Sequence, residues 1–250
     1  MTSKTFLLID AGNTNVHFAV SKRGKIVFRD RVKHAEFILS LSKIVRKYSV
    51  SKSVMCSVFP KFSFRAVRAL KKSNVKVFEC GENISIPVKN LYKFPSEVGQ
   101  DRLLNVYAVS RLYKNVRIVV DLGTALTFDF ISKRNEYQGG MIFPGVRLSL
   151  NSLLNNCALL PGKVLLRRTN SLRGKTTGEC INSGIVFGYS FLIGGLIKHF
   201  RKNVTKGNFK VVLTGGDSSL IIKSIAGVDY TDTDLSLKGL SLLAAGIPKN

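Results

Sequence analysis

The stretch Leu8-Ile9-Asp10-Ala11-Gly12-Asn13-Thr14-Asn15 constrains this chain most, because a second version of it stands at Val120-Asp121-Leu122-Gly123-Thr124-Ala125-Leu126-Thr127. Each is an aliphatic run ending in Asp-x-Gly and followed by hydroxyl or amide side chains. The runs read as buried strands. The glycine permits a tight turn and close approach of the backbone to a ligand. Hydroxyls, amides and exposed N–H groups then suit phosphate oxygens, and the aspartate can hold a hydrated cation beside them. Two such hairpins predict a duplicated fold with a nucleotide clamped between the copies.

The rest of the chain repeats the same theme. Residues 6–20 and 25–33 alternate as two strands, with a turn near Lys22-Arg23-Gly24. Phe37, Ile38, Leu41, Ile44 and Val45 have helical spacing over 35–48. Short strands are expected at 54–58 and 75–78, a helix at 64–70, a loop-rich stretch at 81–99 and a helix at 101–112. The second half predicts strands at 117–120, 127–132 and 139–142, then a helix at 148–156 and a polar loop at 161–178. An uncharged helical region, a strand at 209–213 and a helix at 235–246 follow. Strands in groups followed by helices, twice over, argue a two-lobed α/β architecture with lobes 1–115 and 116–250.

Composition excludes several classes. With 250 residues and 45% hydrophobic content the chain can bury a sizeable core. Cys56, Cys80, Cys157 and Cys180 lack C-x-x-C spacing, and His17, His34 and His199 are isolated. These features predict a reduced cytosolic protein with buried thiols and no zinc cluster. No secretory signal is expected, since Asp10 interrupts the first apolar run. Residues 180–197 are uncharged, but their glycines and polar residues fit a buried or subunit-contact helix better than a membrane span. The net charge of +24 points to anionic partners, yet Lys22, Arg23, Lys25, Lys71, Lys72, Arg167, Arg168, Lys202 and Lys206 are spread along the chain. A solvated basic surface that draws in anionic ligands is expected, rather than specific nucleic-acid binding.

Three further motifs carry chemistry. Thr214-Gly215-Gly216 follows a strand, and its glycines let the backbone lie against a flat base or ribose, while the start of the next helix favours anions. Gly99-Gln100-Asp101-Arg102 opens a helix. Asp101 there is either an N-terminal acid favoured by the helix dipole or a general base, with Arg102 beside it for an anionic group. Gly139–Gly145 is either a plain turn or a ligand-hugging loop. No Ser-His-Asp or Cys-His nucleophile arrangement competes.

The ordered set of motifs resembles the type III pantothenate kinases, members of the acetate-kinase, sugar-kinase, Hsp70 and actin superfamily. The resemblance runs over nearly the whole chain, through Asp10–Asn15, Tyr92–Pro95, Gly99–Arg102, Asp121–Ala125, Gly139–Gly145, Gly174–Thr177, Ser183-Gly184, Thr214–Gly216 and Leu235–Leu240. It implies an α/β fold of duplicated actin-like (ribonuclease H-like) lobes, each a mixed sheet flanked by helices. It implies ATP-dependent phosphorylation of pantothenate, the first step toward coenzyme A. By this resemblance Asp10, Ala11, Gly12, Asn13, Thr14, Asn15, Val16, His17 and Thr124 bind ATP. Asp101 accepts the proton of the pantothenate hydroxyl, and Tyr92, Gly99, Gln100, Arg102 and Thr177 hold pantothenate. Asp121 matches the position for a monovalent cation, K⁺ or NH₄⁺, and Mg²⁺ accompanies ATP with Asp10 nearest. A cytoplasmic homodimer is implied. Leu126, Thr176 and Phe143 depart from the usual Thr, Asn and small residue. The alternatives are a regulatory or nucleic-acid-binding derivative of the family, and another small-molecule kinase of the superfamily.

Overall fold

A computed structural model describes residues 5–203 and 208–248. In chain order its strands are β1 (Thr5–Ala11), β2 (Val16–Lys22), β3 (Lys25–Val32), β4 (Lys52–Ser57), β5 (Lys76–Glu79), β6 (Val116–Leu122), β7 (Ala125–Ile131), β8 (Tyr137–Pro144), β9 (Lys210–Thr214) and β10 (Tyr230–Thr231). The helices are α1 (His34–Tyr48), α2 (Pro60–Lys72), α3 (Gln100–Leu112), α4 (Val146–Asn156), α5 (Thr177–Asn203), α6 (Ser218–Ile221) and α7 (Leu235–Ala245). They form two compact units. The first holds the described residues of Met1–Leu112, Arg134–Tyr137 and Asp234–Asn250, and the second holds those of Tyr113–Lys133 and Gln138–Thr233.

The first unit is built on a sheet ordered β3-β2-β1-β4-β5. β1 runs antiparallel to β2 and parallel to β4, so it is the central strand and is buried on both faces. Its alternation sends Leu7, Ile9 and Ala11 into a core shared with Phe37 and Leu41 of α1 and Phe62 and Leu70 of α2. The opposite face, which carries Leu8 and Asp10, is covered by α3 and α7. Arg23 and Gly24 both have positive φ and make the tight turn from β2 to β3.

The second unit repeats the plan with the order β10-β9-β6-β7-β8. β6 is antiparallel to β7 and parallel to β9. Ile118, Val120 and Leu122 pack with Leu126 and Phe128 against Val146 and Leu150 of α4 and Ile181, Val186, Ile193 and Ile197 of α5. Each unit is thus a mixed sheet flanked by helices, as expected.

The structure corrects several readings. Residues 6–20 are two strands, β1 and β2, not one, because Gly12–Asn15 turn the chain back. The second lobe does not run unbroken from 116 to 250. α7 is strongly apolar, and it buries Leu235, Leu237, Leu240 and Leu243 in the first unit, where Gly239 lets Leu104 and Ala108 of α3 approach its backbone. The uncharged stretch lies inside α5, which by length and hydropathy passes for a membrane span, but its apolar stripe is committed to the core of the second unit. Cys157 and Cys180 are exposed rather than buried, and only Cys56 and Cys80 are interior thiols.

Candidate active site

In the first hairpin, the Gly12 N–H donates to the Asn15 carbonyl at 3.1 Å and closes the four-residue turn. Asn13 and Thr14 are exposed at its tip, and Asp10 stands opposite His17 in the ladder. His34 Nε2 lies 2.9 Å from the Gly12 carbonyl, and the Val58 N–H donates to the Ala11 carbonyl at 3.0 Å, so both flanks of the turn are fixed. The Asp10 carboxylate points to the α7 side, where Ser236 Oγ donates to Oδ2 at 2.6 Å. Burial pushes the Asp10 carboxyl up to about 6; the Ser236 hydrogen bond opposes this, and the charge of Asp101 adds to it. Burial and the guanidinium groups of Arg31 and Arg29 hold His17 down to about 4, so its ring is neutral at neutral pH. Arg31 Nη2 lies 3.2 Å from His17 Nδ1, which therefore accepts, and Nε2 faces Asp234 at 3.5 Å. Asp234 also pairs with Arg29.

Asp101 opens α3. A side chain at position 99 would put its Cβ 2.4 Å from Asp101 Oδ1, so Gly99 is what lets this carboxylate fold back over the helix start. There Oδ1 accepts the Arg102 N–H at 2.9 Å. Burial raises the Asp101 carboxyl above its ordinary value, against the pull of the Arg102 N–H and guanidinium. Desolvation outweighs the stabilisation of the anion by the Arg102 N–H and guanidinium. Gln100 lies against Gly81, whose missing Cβ would sit 2.9 Å from Gln100 Cδ. The Tyr92 N–H donates to Asn90 Oδ1 at 3.0 Å, and its ring lies 6.3 Å from that of Tyr137. The Arg102 guanidinium stands 5.5 Å over the same Tyr137 ring. Asp10–His17, Tyr92 and Gly99–Arg102 therefore all belong to the first unit, and Asp10 senses the charge of Asp101.

Asp121, Thr124 and Thr177 belong to the second unit. Thr124 is exposed at a two-residue tip, where the Gly123 N–H donates to the Ala125 carbonyl at 3.0 Å. The Gly145 N–H donates to the Thr124 carbonyl at 2.9 Å, and a Cβ at 145 would come within 2.2 Å of the Gly123 carbonyl oxygen. Residues 139–144 are therefore not the expected turn or loop but most of β8, and Gly145 directly after it braces the second hairpin. Asp121 stands opposite Thr127 on β7 and Thr214 on β9, which places one carboxylate and two hydroxyls on one face of the sheet. Gly215, at φ +95°, sits where a Cβ would be 2.5 Å from Asp121 Oδ1 and 2.4 Å from the Leu122 carbonyl oxygen. Thr177 is the exposed first residue of α5. The helix after Thr214-Gly215-Gly216 is the single turn α6, with Asp217 at its N-cap, so the expected helix-start anion site is not formed there.

The three departures find structural places. Leu126 is fully buried on the core face of β7, away from Asp121. Phe143 packs edge-on against Phe128 at 6.3 Å. Thr176 caps α5: its Oγ1 accepts the Glu179 N–H at 3.2 Å, and Glu179 Oε2 accepts the Thr176 N–H at 3.2 Å. Sequence reasoning missed Tyr137, Asp234 and Ser236 as parts of the site. The last two lie in or beside the Leu235–Leu240 motif, whose position in the fold no local pattern reveals.

The donor set suits hard cations. Among the described residues no three His, Cys, Asp or Glu side chains gather into a metal cage. A divalent ion here would therefore take a carboxylate and complete its shell with phosphate oxygens and water. Asp10, buried beside the charge of Asp101, fits that demand, because a cation offsets the repulsion that raises its carboxyl. In the second unit, Asp121 Oδ1 and the Leu122 carbonyl oxygen both flank Gly215.

A family model described as type III pantothenate kinase matches residues 6–199. The chain is 39% identical to a type III pantothenate kinase of Persephonella marina over 93% of this chain and 95% of that one. It is 33% identical to the type III pantothenate kinase of Finegoldia magna over 95% of each. Among solved structures it resembles one from Campylobacter jejuni described as a conserved Baf family transcriptional activator, with TM-score 0.59, 20% identity and 96% and 97% of the two chains covered. It also resembles the activator of 2-hydroxyisocaproyl-CoA dehydratase from Clostridium difficile with bound ADPNP, with TM-score 0.55, 14% identity and 96% and 94% covered. These two likenesses concern the fold.

Proposed function

The chain belongs to the type III pantothenate kinase family, and from that premise we propose how its residues divide the work of phosphorylating pantothenate with ATP in coenzyme A biosynthesis. The observation that carries the reading is the presence of two desolvated carboxylates, Asp10 on the phosphate hairpin and Asp101 at the start of α3, with Asp10 feeling the charge of Asp101.

Phosphoryl transfer needs alignment and charge neutralisation more than covalent chemistry. The Gly12–Asn15 turn presents backbone N–H groups and the Asn13 and Thr14 side chains to the phosphates, and Ala11, Val16 and the neutral His17 frame it. Mg²⁺, when bound with ATP, neutralises phosphate charge, and Asp10 is the carboxylate that holds it. Asp101 accepts the proton of the pantothenate hydroxyl. Its carboxyl, raised by burial, is a stronger base than a solvated aspartate. Arg102 offers its guanidinium to the pantothenate carboxylate, Tyr92, Gly99 and Gln100 shape the acceptor site, and Thr177 is a pantothenate contact by the family resemblance. Thr124 contributes a hydroxyl to ATP. Asp121, with Thr127 and Thr214, holds K⁺ or NH₄⁺.

The protein acts as a homodimer in the cytoplasm. Supporting the dimer, α5 exposes Gly184, Gly188, Gly195 and a 63% exposed Phe191 along one uncharged stripe. Supporting the compartment, the interior thiols Cys56 and Cys80 are free.

The test is direct. Purified protein incubated with ATP, Mg²⁺ and pantothenate forms phosphopantothenate, faster with K⁺ or NH₄⁺ than with neither. Absence of product under both cations rejects the reading. Phe191→Arg, followed by light scattering, should yield monomers; a dimer that persists rejects α5 as the contact.

A further inference from the structure

Tyr137 has no role in the assignments above, yet the elements of the acceptor side converge on it. Its backbone is tied into the segment that carries Tyr92 from both directions. The Tyr137 N–H donates to the Lys89 carbonyl at 2.9 Å, and the Leu91 N–H donates to the Tyr137 carbonyl at 2.9 Å, an isolated parallel bridge centred on Asn90. The neighbouring Glu136 pairs with Lys89 at 3.0 Å and repeats the tie through side chains. The Tyr137 ring is fully buried, and so is fixed in place. Its face lies under the Arg102 guanidinium at 5.5 Å, and its ring centre is 6.3 Å from that of Tyr92.

These contacts are what a pre-set recognition site needs. A free arginine samples many rotamers and must be ordered when its ligand binds, which costs affinity. An arginine laid on a buried aromatic face is ordered beforehand, and its planar fork remains able to engage a carboxylate. Tyr92 lies in a loop between Pro87 and Pro95 with no regular secondary structure of its own. The bridge between Asn90 and Tyr137 ties that loop down within the first unit. One residue thereby sets both Arg102, on a helix, and Tyr92, on a loop.

We propose that Tyr137 is a positioning residue for the acceptor substrate, holding Arg102 and Tyr92 in the arrangement that receives the anionic end and the body of pantothenate. The proposal rests on the pantothenate kinase reading. Tyr137 touches no reacting atom in it, so its effect falls on recognition of the acceptor and not on ATP or the transfer step.

The experiment compares three replacements in the full-length protein: Tyr137→Phe, Tyr137→Leu and Tyr137→pentafluorophenylalanine. Phe keeps the ring face and its burial. Leu removes the face. The fluorinated ring keeps shape and apolarity but inverts the charge distribution that attracts a cation. Tyr137→Phe should leave all constants near wild type. Tyr137→Leu and the fluorinated variant should each raise KM for pantothenate by roughly tenfold, with kcat and KM for ATP within about twofold. Should the Leu variant fail to fold, the fluorinated one, matched in volume, still decides. An unchanged pantothenate KM in the fluorinated variant overturns the proposal. So does a parallel loss of kcat and both KM values accompanied by a lowered Tm, which marks a core residue only. A wild-type protein that makes no phosphopantothenate overturns the parent reading and this proposal together. An active wild type with indifferent Tyr137 variants overturns this proposal alone.

Discussion

In the first hairpin four residues, Gly12–Asn15, separate β1 from β2, whereas in the second only Gly123 and Thr124 separate β6 from β7. The first turn is therefore wide enough to expose two side chains, Asn13 and Thr14. The second is tight and is braced from behind by the Gly145 N–H. Their aspartates differ as well. Asp10 accepts a hydroxyl hydrogen bond from a helix 226 residues away in sequence and feels a second carboxylate. Asp121 stands between threonines of the neighbouring strands. The same Asp-x-Gly pattern thus stands in two settings, Asp10 beside a second carboxylate and Asp121 beside the hydroxyl-bearing Thr127 and Thr214. Turn length and the flanking strand, rather than the motif, set the difference.

The strongest way to break this comparison is at Asp101, which the first site has and the second lacks. Asp101→Asn keeps the acceptor for the Arg102 N–H but cannot take a proton. kcat should fall by about 10²- to 10⁴-fold, with KM for ATP little changed, in steady-state assays. Wild-type kcat should also decline with acid below neutrality, at a pH above that expected for a solvated aspartate, because burial raises the Asp101 carboxyl. An Asn variant of ordinary rate would leave the two hairpins without the functional asymmetry drawn here.

Asp10→Asn sharpens the same contrast through stability. The ordinary aspartate value of 3.8 is raised to about 6 in the folded state, so the fold binds a proton more tightly than the unfolded chain does. Its contribution is fully present below pH 4 and is lost as pH rises through 6. The penalty at neutral pH is roughly 3 kcal/mol without ligand. The Asn variant should therefore melt at a higher temperature than wild type at pH 7.5, and the gap should close toward pH 4. Its turnover should drop by about a hundredfold or more, since it can no longer hold the cation as a carboxylate does. A variant that is both inactive and less stable at pH 7.5 would show that Asp10 is structural.

Much of this asymmetry was legible in the sequence, and the part that was not has a physical reason. The aliphatic runs, the Asp-x-Gly turns and the helical spacing of Phe37, Leu41 and Ile44 are local, and the structure follows them. Gly99 beside Asp101 could be read as a glycine at a helix start, but not as the gap that admits a carboxylate. Ser236 and Tyr137 act through contacts between segments far apart in sequence. α7 passed for part of the second lobe because nothing local states which sheet an apolar helix will cover. Thr176 and Leu126 stand out in the sequence only as departures from the family pattern. One caps a helix, a task Asn also performs, and the other faces the core by strand alternation.

Leu126→Thr tests that last point at moderate cost. If Leu126 serves only the core, placing a hydroxyl there should lower stability by about 1–3 kcal/mol and leave the constants for ATP, K⁺ and pantothenate unchanged. Denaturant titration and the kinase assay together check it. A gain in K⁺ affinity would mean that the β7 register allows this side chain to reach Asp121.

The smallest effect separates the two hairpin tips themselves. Thr14, two residues after Gly12, and Thr124, directly after Gly123, are both exposed at their tips. A single neutral hydrogen bond is worth about 0.5–1.5 kcal/mol, or roughly two- to tenfold in affinity. Thr124→Ala should therefore raise KM for ATP by that factor with kcat nearly intact, because the tight second turn offers its side chain and few free N–H groups. Thr14→Ala should raise it less, because the wide first turn holds phosphate mainly through its backbone, which the substitution leaves in place. Equal effects would mean that both tips bind through their hydroxyls. A larger effect at Thr14 would reverse the comparison and make the first hairpin the one that depends on its side chains.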